Sequence, residues 1–146
     1  MTTVASPVFI DTNVLVYAAI PQSPFCLKAR GVLARLEKAG HELCISRQVI
    51  RELLAQLSRT PQQEYKPADI FAAVRTLEKH YWVAEEHSLV GDQLYLLLDK
   101  VPCGGKQIHD ANIVATMLAF DIPQLFTYNL DDFRRFDSFI RVSDTF

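Results

Sequence analysis

An α/β fold on a mainly parallel sheet of four to five strands is what this sequence predicts, and three observations predict it. Short apolar runs recur along the chain, at Val8–Ile10, 41–46, 81–86 and 124–128. Helical stretches separate them. No internal repeat, low-complexity stretch or linker interrupts the series. Parallel strands need crossover connections, and the crossover helices bury the strands on both faces, so such strands read as short apolar runs between helices.

The elements follow in order. Val8–Ile10 is a fully apolar strand that stops at the polar trio Asp11-Thr12-Asn13 before "VLVY" resumes. Residues 24–39 carry Leu27, Val32, Leu33 and Leu36 at helical spacing, and Gly40 stops that helix. "HELCIS" (His41–Ser46) is a second strand, with Ser46 placed to cap the helix "RQVIRELLAQLSR". "TPQQEYKP" is a loop, its Pro67 suited to the first turn of the helix "ADIFAAVRTLEKH". "YWVAEE" is a third strand, followed by a helix over Ser88–Lys100. "PCGG" breaks the chain before a helix over 107–120; "QLFTY" is a fourth strand and "FIRV" a fifth.

The bulk numbers bound the function. The 146 residues, 49% of them hydrophobic, suffice for a real core and read as one domain, 1–146. No apolar run approaches the roughly 18 residues of a membrane span, and "MTTVASP" lacks the basic start and apolar stretch of a signal peptide. Cys26, Cys44 and Cys103 are scattered and odd in number, without zinc spacing, so a cytoplasmic location is the expectation. A net charge of -2 rules out whole-surface attraction to nucleic acid; any such binding needs a local basic rim or a metal.

Ligands of open parallel α/β sheets sit at the carboxyl ends of the strands. There this sequence places Asp11 after the first strand and Asn129 after the fourth, with Asp131 and Asp132 in the following turn "NLDDF". Glu52 lies in the helix after the second strand, and Asp110 opens the helix over 107–120. Asp11, Glu52, Asp110 and Asp132 can thus gather at one sheet edge. Clustered carboxylates repel one another unless a cation joins them, and oxygen donors without a His/Cys set point to Mg2+ or Mn2+. Such a site suits phosphodiester hydrolysis by a metal-activated water. Each residue also has a plainer reading. Asp11 can cap a helix beginning near Val14. Glu52 lies off its helix's apolar stripe, as a solvated residue would. Asp110 suits a helix N-terminus, although its helix is apolar nearly all round. Asp131 and Asp132 suit a turn, and a lone His109 is more often structural or exposed.

"FIDTNVLVY", "ISRQVIREL", "IHDANIVATMLAF" and "LFTYNLDDF", in this order and spacing, resemble the PIN domain, and within it the VapC-type toxin ribonucleases. The resemblance spans nearly the whole chain. It implies a three-layer α/β/α fold with strand one between strands two and four, and a metal-dependent endoribonuclease belonging to a type II toxin–antitoxin pair. It makes Asp11, Glu52 and Asp110 the acidic metal-site positions, and Thr127 the polar residue ending the fourth strand. Asn129 falls where many members have a fourth Asp, and Asp132 matches the aspartate of the closing "DF"; the implied metal set is Asp11, Glu52, Asp110 and Asn129, and Asp132 could supply the missing charge directly or through water. Thr12, Asn13 and Thr127 would orient the carboxylates. The implied partners are structured RNA, an antitoxin protein that pushes an Arg or Lys toward the acids, and a second copy of the chain. The helices at 46–59 and 67–79 carry apolar residues for that homodimer, and Lys66, Arg47 and Lys106 are candidates for a basic rim.

Two rivals compete. A haloacid-dehalogenase-like phosphatase also places Asp after its first strand, but needs a second Asp where this chain has Asn13. A PIN-like interaction module with a decayed site is favoured by Asn129 and opposed by the three retained acids.

Overall fold

The computed structural model describes residues 4–59 and 66–146. The apolar runs become β1 (Val8–Ile10), β2 (Leu43–Ser46), β3 (Trp82–Ala84), β4 (Gln124–Phe126) and β5 (Arg141–Ser143). Between them run α1 (Thr12–Ala19), α2 (Cys26–Lys38), α3 (Arg47–Arg59), α4 (Pro67–His80), α5 (Ser88–Lys100), α6 (Gln107–Ala119) and the single turn α7 (Leu130–Phe133). The strands form one sheet in the order β3-β2-β1-β4-β5, and every pairing is parallel. Strand one lies between strands two and four, as expected.

The order explains the layers. Crossovers between parallel strands are right-handed. Stepping from β1 through β2 to β3 therefore puts α1–α4 on one face. The return past β1 to β4 and on to β5 puts α5–α7 on the other. β1 and β2, covered on both sides, are buried at every residue. The direction reverses between β1 and β4, which makes that crevice the sheet's switch point.

Local chemistry sets the boundaries. Gly40, at φ 88°, ends α2 with His41 N–H bonding Leu36 O and Gly40 N–H bonding Glu37 O, a left-handed closure that suits glycine. Ser46 Oγ accepts from Val49 N–H, so β2 runs into α3 without a loop. Pro67 sits in the first turn of α4. The loop expected over 60–67 lies, for residues 60–65, outside the described residues. The third strand is shorter than "YWVAEE": Glu85 and Glu86 leave the sheet to pair with Arg47 and Arg51 of α3. The "NLDDF" turn is helical, with Phe133 and Phe136 anchoring it in the core.

Much of the apolar surface of α3 and α4 is used within the fold. Leu53, Leu57, Ile70 and Val74 are buried where the two helices pack, which leaves Phe71 exposed. The sheet's own core is denser. Phe126 is wholly buried, registers with Ile10 and Ser143, and meets the rings of Tyr128 and Phe146 at 5.4 Å. Phe126→Ala is expected to cost about 3–5 kcal/mol, read as a lower urea midpoint at unchanged slope.

Candidate active site

Asp11 holds its place through backbone and side chain at once. Its N–H donates to Phe126 O at 3.0 Å, extending the β1–β4 ladder by one residue to the sheet edge. Its carboxylate, 6% exposed, would be costly there without donors. Thr12 N–H supplies one to Oδ1 at 2.8 Å. Oδ2 accepts from Thr127 Oγ1 at 2.7 Å and from Asn13 Nδ2 at 3.1 Å. Asp11 is thus the N-cap of α1, as the plainer reading has it, and its carboxylate is buried at the sheet edge.

The polar trio interrupting the apolar run has the same explanation. Thr12 gives its N–H to Asp11 and its hydroxyl to Glu52 Oε2 at 2.7 Å, tying the two carboxylates together. Asn13 Nδ2 also reaches Thr127 Oγ1 at 3.2 Å, while its Oδ1 accepts Tyr128 N–H at 3.1 Å. Thr127 Oγ1 accepts from Asn129 N–H at 3.0 Å.

Glu52 is half-buried rather than freely solvated, because Gln48 closes over it. Gln48, 6% exposed, donates from Nε2 to Glu52 Oε1 at 2.8 Å and to His109 O at 2.9 Å. Its Oε1 accepts from Asn112 Nδ2 at 2.8 Å. Gln48 and Asn112 therefore join α3 to α6 across the sheet edge, and the sequence reading passes over both. The signal was present: Gln48 lies one turn before Glu52, and Asn112 is the one amide in the apolar stretch 111–120.

Asp110 is half-buried in the first turn of α6 and accepts no hydrogen bond from the described residues. Burial raises its pKa to about 6, reinforced by Asp132, Asp11 and Glu52 and opposed by Arg135. Asp11 is also pushed up to about 6, mainly by burial, with Thr127 and Thr12 opposing and Glu52 and Asp132 adding repulsion. Asp11 and Asp110 thus both feel the charges of Glu52 and Asp132, and Asp110 also feels Asp11. Asp132 is exposed, yet it bears on both Asp11 and Asp110. Asn129 is exposed at the start of α7, and its side chain makes no hydrogen bond to a described residue. His109 is exposed and contributes its backbone carbonyl. Arg47, a rim candidate, is engaged by Glu85 at 2.5 Å and Glu78 at 3.5 Å.

Among the described residues, no group of three His, Cys, Asp or Glu side chains is arranged to hold a metal ion. The donor chemistry nonetheless suits a hard cation: every candidate ligand is an oxygen, and Asp11 and Asp110 are destabilised as anions by burial and mutual repulsion.

The fold and this edge define an α/β protein with an acidic cleft at the switch point of a parallel sheet. A family model of the PIN domain matches residues 8–138, and the chain belongs to the PIN-domain family, which removes the phosphatase alternative. Solved structures share the fold. VapBC2 from Rickettsia felis, bound to a DNA fragment from its promoter, is 17% identical with a TM-score of 0.72, covering 93% of this chain and 96% of that one. VapC20 of Mycobacterium tuberculosis, a sarcin–ricin-loop-cleaving toxin, is 19% identical with a TM-score of 0.66, covering 92% and 98%. VapBC-1 from nontypeable Haemophilus influenzae is 16% identical with a TM-score of 0.69, covering 93% and 96%. No curated protein matches the sequence significantly.

The raised carboxyls set a pH dependence. Between about pH 4 and 6 the folded chain keeps protons on Asp11 and Asp110 that the unfolded chain has lost, so their contribution to stability falls as pH rises through that window. Asp110→Asn removes the charge without breaking a hydrogen bond. In metal-free buffer it is expected to raise Tm by a few degrees at pH 7 and by nothing near pH 4, measured by thermal melts. Asp11→Asn should gain less, because Oδ2 accepts two hydrogen bonds that an amide nitrogen cannot.

Proposed function

We propose that this chain is a Mg2+- or Mn2+-dependent endoribonuclease, a single cytoplasmic domain over 1–146 and the toxin of a type II toxin–antitoxin pair. One observation supports the reading: Asp11 and Asp110 are raised to about 6 by burial, and the charges of Glu52 and Asp132 add to both. Family membership and likeness to VapC-type folds support it. The sarcin–ricin-loop cleavage ascribed to VapC20 makes structured RNA the substrate class to test.

Asp11, Glu52 and Asp110 are the essential acids in this reading. Asp11 and Glu52 are pinned by Thr12, Asn13, Thr127 and Gln48, whereas the carboxylates of Asp110 and Asp132 accept no hydrogen bond from the described residues. Asp132 supplies the fourth negative charge that Asn129 lacks, and Asn129 offers a neutral amide oxygen beside it. A bound divalent ion supplies a polarising charge for the phosphoryl oxygen and acidifies water. The second reading, a decayed interaction module, draws on Asn129 and on the absence of an assembled ligand trio among the described residues.

RNA cleavage against metal titration separates the two. Wild type should cleave in Mn2+ or Mg2+ and stop in excess EDTA. Asp11→Asn and Asp110→Asn should each lose orders of magnitude while remaining folded. Asn129→Asp should lower the Mn2+ concentration needed for half-maximal cleavage. Metal-independent cleavage, or none at all, would overturn the ribonuclease reading.

The partners are a homodimeric second copy and an antitoxin whose cationic side chain neutralises the acids. Co-expression with an adjacent small reading frame should relieve growth arrest and yield a complex with two copies of this chain by light scattering. Persistent arrest without a complex would refute the pairing.

A further inference from the structure

We propose that the aromatic run Tyr128–Tyr17–Phe25, flanked by Lys28 and Arg35 of α2, is the platform on which unpaired RNA bases beside the scissile phosphate stack. This rests on the ribonuclease reading and adds a positioning surface to it. The run starts at the acids. Tyr128 stands between Thr127, which donates to Asp11, and Asn129. Its N–H bonds Asn13 Oδ1, and the same Asn13 amide holds Asp11. The ring is therefore registered to the central carboxylate through one side chain. From Tyr128 the centroids step 5.6 Å to Tyr17 and another 5.1 Å to Phe25, which is 47% exposed.

The cations of α2 outnumber its acids, which gives this patch a positive local balance. In a chain of net charge -2, α2 holds Lys28, Arg30, Arg35 and Lys38 against Glu37 alone. None of these four cations makes an ion pair with a described residue, whereas Arg47 and Arg51 of α3 are both paired. Lys28 and Arg35, two turns apart on one helix face, both bear on Tyr128. Lys28 Nζ lies 5.9 Å from its ring centre, and Arg35 acts on its hydroxyl by charge. Asp144 is the acid whose charge opposes Arg35 at Tyr128. Aromatic rings beside unpaired cations are how single-stranded nucleic acid is held without sequence readout, the ring taking the base and the cation the phosphate.

The Tyr128 hydroxyl is buried without a partner among the described residues, so the ring carries the proposed role. Binding of a short single-stranded RNA containing 2-aminopurine, in Mg2+ with Asp110→Asn protein to suppress cleavage, tests this. The fluorophore should be quenched on binding. Phe25→Ala should raise Kd about five- to tenfold, and Tyr128→Leu at least as much. Tyr128→Phe should restore the affinity that Tyr128→Leu loses. Lys28→Met should lower the slope of log Kd against log salt by about 0.7. Tyr95→Ala, an exposed ring on α5, should change nothing. Unchanged Kd in Phe25→Ala together with an unchanged salt slope in Lys28→Met overturns the platform; both side chains are exposed, so neither variant depends on a buried contact. Equal losses in Tyr128→Leu and Tyr128→Phe also overturn it. So does loss of a co-purifying protein partner with RNA binding intact, which would make the patch a protein interface. If wild type cleaves RNA while these variants bind normally, only the platform fails. If wild type cleaves nothing, the ribonuclease reading fails instead.

Discussion

The architecture of the cleft depends on keeping one carboxylate, that of Asp11, nearly out of water. A buried anion without donors is expensive, and the chain answers with three donors: Thr12 N–H, Asn13 Nδ2 and Thr127 Oγ1. They come from the start of α1 and the end of β4, so satisfying Asp11 also clamps the switch point shut. Even so, burial outweighs the donors and the carboxyl stays near 6. The residual penalty belongs to the charged form, and that is the form a cation would stabilise.

The clamp divides the acids into two kinds. Asp11 and Glu52 are oriented by hydrogen bonds before anything binds, Glu52 through Thr12 and Gln48. Asp110 and Asp132 sit on the other face of the sheet, half-buried and exposed, with no such restraint from the described residues. One rigid wall and one adjustable wall are what mutual repulsion favours when the centre is empty of positive charge, since the free acids can retreat. Gln48 keeps the walls in register by reaching His109 and Asn112 on α6. A ladder of side-chain amides spans the gap where backbone cannot.

How much of this is legible in the sequence depends on the range of the interaction. The strands follow from short apolar runs and their spacing, whereas their order follows from the resemblance to the PIN domain. The polar trio announces itself because Asp11, Thr12 and Asn13 break an apolar run. Strand lengths are less legible: "YWVAEE" looks extended, but Glu85 and Glu86 are drawn off by Arg47 and Arg51, partners that no local pattern reveals. Gln48 and Asn112 are missed for the same reason, since an amide on a helix looks solvated until a second helix closes over it. The helical turn after Asn129 hides because four residues are too few to show a period, and its Phe133 and Phe136 are held by the core rather than by propensity.

Charge placement completes the account. A chain of net charge -2 with four acids in its cleft should repel a polyanion, and a uniform surface of that kind would. The cations are not uniform. Arg47 and Arg51 of α3 are spent on Glu78, Glu85 and Glu86, while Lys28 and Arg35 of α2, in no ion pair with a described residue, bear on Tyr128 in a row of aromatic rings. The acids and the unpaired cations meet at Tyr128 and Asn13, one residue from Thr127. Screening leaves little of a field beyond about 8–10 Å at physiological salt. Attraction and repulsion must therefore be set side by side to act on neighbouring phosphates of one strand, and in the proposed ribonuclease the β4–α1 junction is where they would be.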